Sequence, residues 1–268
     1  MSAFLRSMAE LSRRRVDAAA RIRPFSDLER EVMSLSPVRS LGSFGEQFDL
    51  IAEIKPRSPS EGSFPVRDPV ATAHGYVAGG AAVLSVLTEP SEFGGSLLDL
   101  ERVSGAVDIP VMAKDFLVDR YQVCQARLAG ADGVLVVVRI LDDPTMVSLL
   151  DAAGGLGMFT LLEAFDLEDI RRITGIAAGV PNVLIGVNCR DLDSLSIVPN
   201  RHEELAGELP QGMVAVAESS IGGAADAERV ARLGYRAALV GSALMRDDDA
   251  PALVGSLLSA ARRIGVPT

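Results

Sequence analysis

The sequence predicts an α/β chain folded as a (β/α)8 TIM barrel with an N-terminal helical extension. Three observations carry that prediction. From residue 50 onward, eight short aliphatic or β-branched runs recur, and a helical pattern follows each one. The runs are apolar enough to be covered on both faces, as strands of a parallel sheet are. Strand alternating with helix argues for a parallel sheet, and eight such units in a chain of 268 residues argue for closure into a barrel. An open doubly wound sheet is the alternative. No G-x-G-x-x-G follows the first strand, which counts against the dinucleotide-binding version of that fold.

The elements follow in order. Phe4, Met8 and Leu11 recur at helical spacing, so Ala3 to about Ala20 is expected to be an amphipathic helix. Arg13, Arg14 and Arg15 then form its solvated face or edge the active-site mouth. Residues 22–49 are mixed and Pro-punctuated, with a short helix near Ser26–Ser34. Residues 1–49 are therefore an extension and residues 50–268 the barrel, together a single domain spanning 1–268. Strands are expected at 50–54, Ala82–Thr88, Val111–Lys114, Gly133–Val138, Phe159–Phe165, Val183–Asn188, Val214–Glu218 and Ala237–Gly241. Helices are expected at Pro69–Ala78, Leu97–Val103, Asp119–Leu128, Asp142–Ala152, Leu167–Ile173, Arg201–Leu209, Gly222–Leu233 and Ala250–Ile264. Several begin with acidic, Ser, Thr or Pro residues and have glycine just past their end, as at Gly79, Gly130, Gly154 and Gly234.

Composition narrows the function classes. With 48% hydrophobic residues the chain can bury one sizeable core. A net charge of −10 argues against nucleic acid or an anionic membrane as partner. An anionic substrate then needs a local basic pocket. The two cysteines, Cys124 and Cys189, make no disulfide framework, and with only two histidines there is no Cys/His spacing for a metal. Met1–Ala20 is charged and lacks the long apolar core of a signal peptide, and no apolar run reaches membrane-spanning length. A cytoplasmic protein is expected. His74 reads as a structural or solvated residue, His202 as a surface residue, Cys124 as helix core, and Asp247–Asp249 as an acidic helix start.

The chemistry is written at the strand ends. Glu53 and Lys55 are two apart on the first strand, so both point the same way. Unpaired charges on a buried strand cost several kcal/mol or more, so this pair serves more than packing. Lys114, Glu163, Asn188 with Arg190, and Glu218 with Ser219 stand at corresponding ends of later strands. In such barrels those ends converge on one cavity. Lysine and glutamate sharing a low-dielectric pocket tune each other into an acid and a base. A Schiff base on Lys114 is a further option. No cysteine or serine has an adjacent histidine, which disfavours a nucleophilic triad. Ser58, Ser219, Ser220, Gly241 and Ser242 lie in the loops after strands one, seven and eight, and a phosphate site after strands seven and eight recurs in such barrels.

Together these residues form ordered motifs: Glu-Ile-Lys-x-x-Ser-Pro-Ser (53–60), Leu-Thr-Glu-Pro-Ser-Glu-Phe-Gly-Gly-Ser (87–96), Lys-Asp-Phe (114–116), Leu-Leu-Glu (161–163), Gly-Val-Asn-Cys-Arg-Asp-Leu (186–192), Ala-Glu-Ser (217–219) and Val-Gly-Ser-Ala-Leu-Met-Arg (240–246). The series resembles the indole-3-glycerol phosphate synthase family. The resemblance implies a barrel lyase that closes the indole ring of a small phosphorylated, anthranilate-derived substrate, with no cofactor. It implies Lys114 as general acid, Glu163 as acid/base in the later dehydration, and Glu53 as the other active-site carboxylate. It implies that Lys55 orients anionic groups and shuttles a proton, that Asn188 and Glu218 position the substrate, and that Arg190 supports the Asn188 loop. Phe93 and Phe116 would border the anthranilate ring. Ser58, Ser219, Gly241 and Ser242 would bind phosphate. A monomer or weak dimer is expected.

The chain departs from the family pattern at Ser220, where glycine is usual, and at Pro56, Ala164-Phe165 and Cys189. If residue 220 needs a positive φ, serine there adds strain. Two other functions fit the sequence less directly. One is a specialised barrel for a modified anthranilate substrate, and the other is a non-catalytic phosphate-binding barrel. Retention of Glu53, Lys55, Lys114 and Glu163 argues against the second.

Overall fold

The computed structural model describes residues 3–191 and 194–265. Leu192, the last residue of the 186–192 motif, lies outside the described residues, as do Met1 and Ser2 of the expected charged N-terminus and residues 266–268 of the expected barrel.

Eight parallel strands close on themselves: Asp49–Ile54, Val83–Leu87, Val111–Lys114, Gly133–Val137, Phe159–Ala164, Val183–Asn188, Val214–Glu218 and Ala237–Val240. Each pairs with its sequence neighbours, and the eighth closes onto the first through Asp49–Ala237 to Ala52–Val240. The expected strands stand within a residue or so of their predicted ends. Two helices precede the barrel, α1 (Ala3–Ile22) and α2 (Phe25–Val32). The helices α3 (Pro69–Ala78), α4 (Leu97–Ser104), α5 (Arg120–Leu128), α6 (Asp143–Gly155), α7 (Leu167–Ala177), α8 (Arg201–Ala206) and α9 (Ala224–Arg232) follow successive strands. After the eighth strand come a short α10 (Ser242–Arg246) and then α11 (Ala250–Arg262).

Local chemistry starts several helices where the sequence placed them. Asp68, Ser96, Asp119, Asp142, Asp166 and Asp249 each accept a backbone N–H of the first turn, a cap typically worth about 1 kcal/mol. Two features were not expected. Helix α10 interrupts the last βα connection, and the turn after the first strand folds as a small hairpin, Arg57–Ser58 against Gly62–Ser63.

The core is one continuous apolar body between the strands and the helix ring, and α1 adds Leu5, Met8 and Ala9 to it. One expectation is corrected here. His202 is not at the surface: it is fully buried, with Nε2 3.1 Å from the Val187 carbonyl and its ring edge-on to Tyr235 at 5.2 Å. It opens α8, but the helix lies with that side against the sixth strand. His74 is exposed, as expected, with Nε2 2.9 Å from the Ala106 carbonyl. Cys124 is buried.

Candidate active site at the C-terminal mouth

All fourteen residues singled out in the sequence line one cavity of about 340 Å³ at the C-terminal mouth of the barrel. Strand geometry explains the convergence. Parallel strands end together, so their last inward side chains meet over the barrel axis. The register sets Lys114 opposite Leu87, Glu163 opposite Val137, and Asn188 opposite Glu218.

Lys114 is the hub. Its Nζ lies 3.3 Å from Glu163 Oε2, 3.4 Å from Glu218 Oε2 and 3.9 Å from Glu53 Oε2. Lys55 Nζ pairs with Glu53 Oε1 at 3.0 Å and lies 5.4 Å from the centre of the Phe64 ring. Asn188 Nδ2 donates to Glu163 Oε1 at 3.1 Å. Its Oδ1 accepts from Ser219 Oγ and from the Arg190 N–H, both at 2.8 Å. Asn188 is thereby fixed in one orientation, and it holds Glu163 in turn.

Two ammonium groups thus face three buried carboxyl groups. Burial and the neighbouring Glu163 push Glu218 up to about 8, against the pull of Lys114. A proton on Glu218 balances the charge of the cluster, which a low-dielectric site favours. Burial also pushes Glu53 up, but Lys55 and Lys114 outweigh it and hold that carboxyl below the usual range. For Lys114, burial disfavours the ammonium, yet the surrounding carboxylates keep it above the ordinary lysine value. Glu218 Oε1 is buried and has no hydrogen-bond partner among the described residues.

Two glycines make room for these carboxyls. A Cβ on Gly186 would sit 2.0 Å from Glu218 Oε1, and one on Gly241 would sit 2.3 Å from Glu53 Oε1. Gly241 therefore shapes the acid cluster as well as the loop after the eighth strand. Gly186 opens the 186–192 motif, but no role was read for it there.

The walls differ in character. Phe93 and Phe116 stand on one side with ring centres 6.1 Å apart. Ser58, Ser219, Ser220, Gly241 and Ser242 stand in the loops after strands one, seven and eight. Ser219 and Ser220 both have left-handed backbones, φ 63° and 58°. The strain anticipated for serine at 220 is present, and Ser219 shares it.

Arg15 is the other residue only half read in the sequence. It is no solvated side chain. It pairs with Asp115 Oδ1 at 2.5 Å and lies 3.6 Å from Glu89 Oε1. Glu89 accepts the backbone N–H groups of Ser91, Glu92 and Phe93. Ser12 donates to the Phe116 carbonyl. Helix α1 thereby fastens the two loops that carry the aromatic wall. Glu61 was also missed. It lies in a turn that looked suited to an anion, and a carboxylate has the wrong charge for that reading.

Among the described residues no group of His, Cys, Asp and Glu is arranged to hold a metal ion, and no helix is long and apolar enough to cross a membrane.

Comparison with known proteins adds four findings. The family model described as indole-3-glycerol phosphate synthase matches residues 5–257. An indole-3-glycerol phosphate synthase of Nocardioides sp. is 47% identical over 201 residues, 75% of this chain and 76% of that protein. One of Azospirillum brasilense is 38% identical over 266 residues, 97% of this chain and all of that protein. The crystal structure of a 3-hexulose-6-phosphate synthase from Salmonella typhimurium superposes with a TM-score of 0.63 at 16% identity, over 80% of this chain and 99% of that one. That likeness concerns the barrel fold alone.

Proposed function

The chain belongs to the indole-3-glycerol phosphate synthase family, and we propose that it closes the indole ring of 1-(2-carboxyphenylamino)-1-deoxyribulose 5-phosphate. It is a carbon–carbon lyase of tryptophan biosynthesis that releases indole-3-glycerol phosphate, carbon dioxide and water. The observation that carries this reading is the position of Lys114 Nζ, within 4 Å of Glu53, Glu163 and Glu218 on the floor of a cavity with an aromatic and a hydroxylated wall.

The aryl ring lies between Phe93 and Phe116 and the phosphate in the loops of Ser58, Ser219, Ser220, Gly241 and Ser242. This stretches the ribulose chain across Lys114. The aryl carbon that bears the carboxylate attacks the carbonyl carbon, and Lys114 delivers its proton to the carbonyl oxygen as negative charge develops there. The bond to the carboxylate then breaks, and its electrons restore the benzene ring. Loss of the new hydroxyl as water, with removal of a ring proton, completes the pyrrole. Glu163 serves that dehydration, held by Asn188. Lys55 and Glu53 steer the substrate carboxylate and relay protons. Glu218 positions the substrate, and Arg190 braces the Asn188 loop through its N–H. Both departures leave an aromatic product, so this chemistry needs placed acids and bases and no electron sink. Holding a flexible chain in an attack geometry contributes further through proximity.

Residues 1–268 act as one barrel domain, with α1 as a working part of the site, a reading supported by the Arg15–Asp115 pair. The acidic chain works in the cytoplasm as a monomer or weak dimer without a nucleic-acid or membrane partner, consistent with its charge of −10. The test is an assay on the unsubstituted substrate, following indole fluorescence and product mass. Turnover to indole-3-glycerol phosphate is expected. Turnover only on ring-substituted analogues would overturn the assignment in favour of a modified substrate.

A further inference from the structure

The phosphate end of the cavity also holds a carboxylate. Glu61 follows Ser60 in the turn of the 57–63 hairpin, and its side chain is only 15% exposed. Its Oε1 accepts from Arg190 Nη2 and from Ser242 Oγ, each at 3.0 Å. Its Oε2 is 2.8 Å from Arg246 Nη2. Two guanidinium groups and a hydroxyl closing on one small anion make a set that suits phosphate. Here a side chain of the protein fills it.

Ser242 makes the two anions mutually exclusive. A serine hydroxyl has a single O–H to donate, and Ser242 gives its own to Glu61. A phosphate in the loop after the eighth strand draws on the same donor at about 3 Å. Both anions would then lie within roughly 6 Å of each other, where like charges in a partly dry cavity repel strongly. One has to give way. Glu61 is the better candidate, because it stands at the tip of a hairpin whose ladder has two residue pairs, and Arg246 is 57% exposed.

We propose that Glu61 is an internal competitor for the phosphate seat. Its carboxylate holds Ser242, Arg190 and Arg246. The substrate phosphate displaces it and carries the 57–63 hairpin outward. The device selects by charge. A dianionic phosphate, with more charge and more acceptor oxygens than a carboxylate, takes the seat, and a neutral or weakly charged terminus does not. This inference rests on the phosphate seat assigned in the proposed function.

Calorimetric titration with inorganic phosphate tests it on the wild-type chain, Glu61→Gln, Ser242→Ala and the double variant. Glutamine keeps the shape of the side chain and removes its charge. Glu61→Gln is expected to tighten phosphate binding about tenfold, the size of one charge-assisted hydrogen bond. The gain should shrink in the Ser242→Ala background, where the contested donor is gone. A purely structural Glu61 predicts the opposite sign, because a loosened hairpin weakens the site. Equal or weaker binding by Glu61→Gln, with Ser242→Ala still losing phosphate, overturns the competitor and leaves the seat intact. No response of phosphate binding to either substitution removes the seat itself, and the competitor with it. A second measurement is independent of the variants: saturating phosphate should speed amide hydrogen exchange across residues 57–63 of the wild-type chain, and unchanged or slower exchange contradicts displacement.

Discussion

The two mouths of the barrel bury carboxylates in opposite ways. At the N-terminal mouth, Asp132 accepts the Arg39 N–H at 2.8 Å, Arg39 Nε at 2.8 Å and the Val111 N–H at 2.9 Å. Arg39 spends its remaining donors on Ser104, Val107 and Gly130. Asp49 accepts the Gly45 N–H at 2.9 Å and Arg262 Nη2 at 3.0 Å. Both oxygens of each aspartate have partners, and each aspartate has its own guanidinium. At the C-terminal mouth three glutamates crowd one lysine, one glutamate oxygen has no partner among the described residues, and two serines hold left-handed backbones. The same residue class therefore fastens the fold at one end and, in the proposed mechanism, handles protons at the other. An unpartnered buried oxygen and backbone strain are features that cluster at functional sites.

Lys114→Ala is the strongest test of the upper mouth. Turnover should fall about 10²–10⁴-fold, the usual worth of general acid catalysis, while substrate binding changes far less. Steady-state kinetics with a separate binding titration check this. Turnover within about threefold of wild type, far short of that range, would remove Lys114 from the mechanism. Asp132→Asn is the counterpart at the lower mouth. It should cost up to about 3 kcal/mol of stability by stranding the Arg39 charge, with kcat retained. Denaturant unfolding beside an activity assay reads both. If kcat fell and stability held, the division between the mouths would fail.

Gly186→Ala sharpens the comparison from inside the barrel wall. The new Cβ must displace the Glu218 carboxyl, and a shift near 1 Å costs roughly a hundredfold in rate. A low kcat with an unchanged circular dichroism spectrum is the expected pair of results. Ser220→Gly is the smallest change. Glycine adopts φ 58° without the penalty serine carries, so stability should rise by no more than about 1 kcal/mol. If the Ser220 hydroxyl also donates to phosphate, KM should rise about tenfold at constant kcat. A thermal melt and a KM measurement separate the two effects.

The eight strands were legible because each is a bounded apolar run and period-two alternation fixes which side chains share a face. That is why Glu53 and Lys55 could be paired, and why Lys114, Glu163, Asn188 and Glu218 fell at matching strand ends. What escaped the sequence depends on contacts far apart in the chain. The helical pattern of α1 allowed Arg15 either a solvated face or the mouth, and only docking onto Asp115, a hundred residues away, decides between them. His202 carries no local mark of burial, since Val187 and Tyr235 enclose it only after folding. Gly186 looked like any small strand residue because its importance is the space that Glu218 occupies.

Infrared difference spectroscopy of the carboxyl groups tests the central claim most directly. If burial and Glu163 hold a proton on Glu218 to about pH 8, a protonated-carboxyl band should be present at pH 6.5, fade as the pH is raised toward 9.5, and be missing in Glu218→Gln. A spectrum with every carboxyl ionised at pH 6.5, or a band indifferent to Glu218→Gln, would contradict the account of a proton-poised upper mouth.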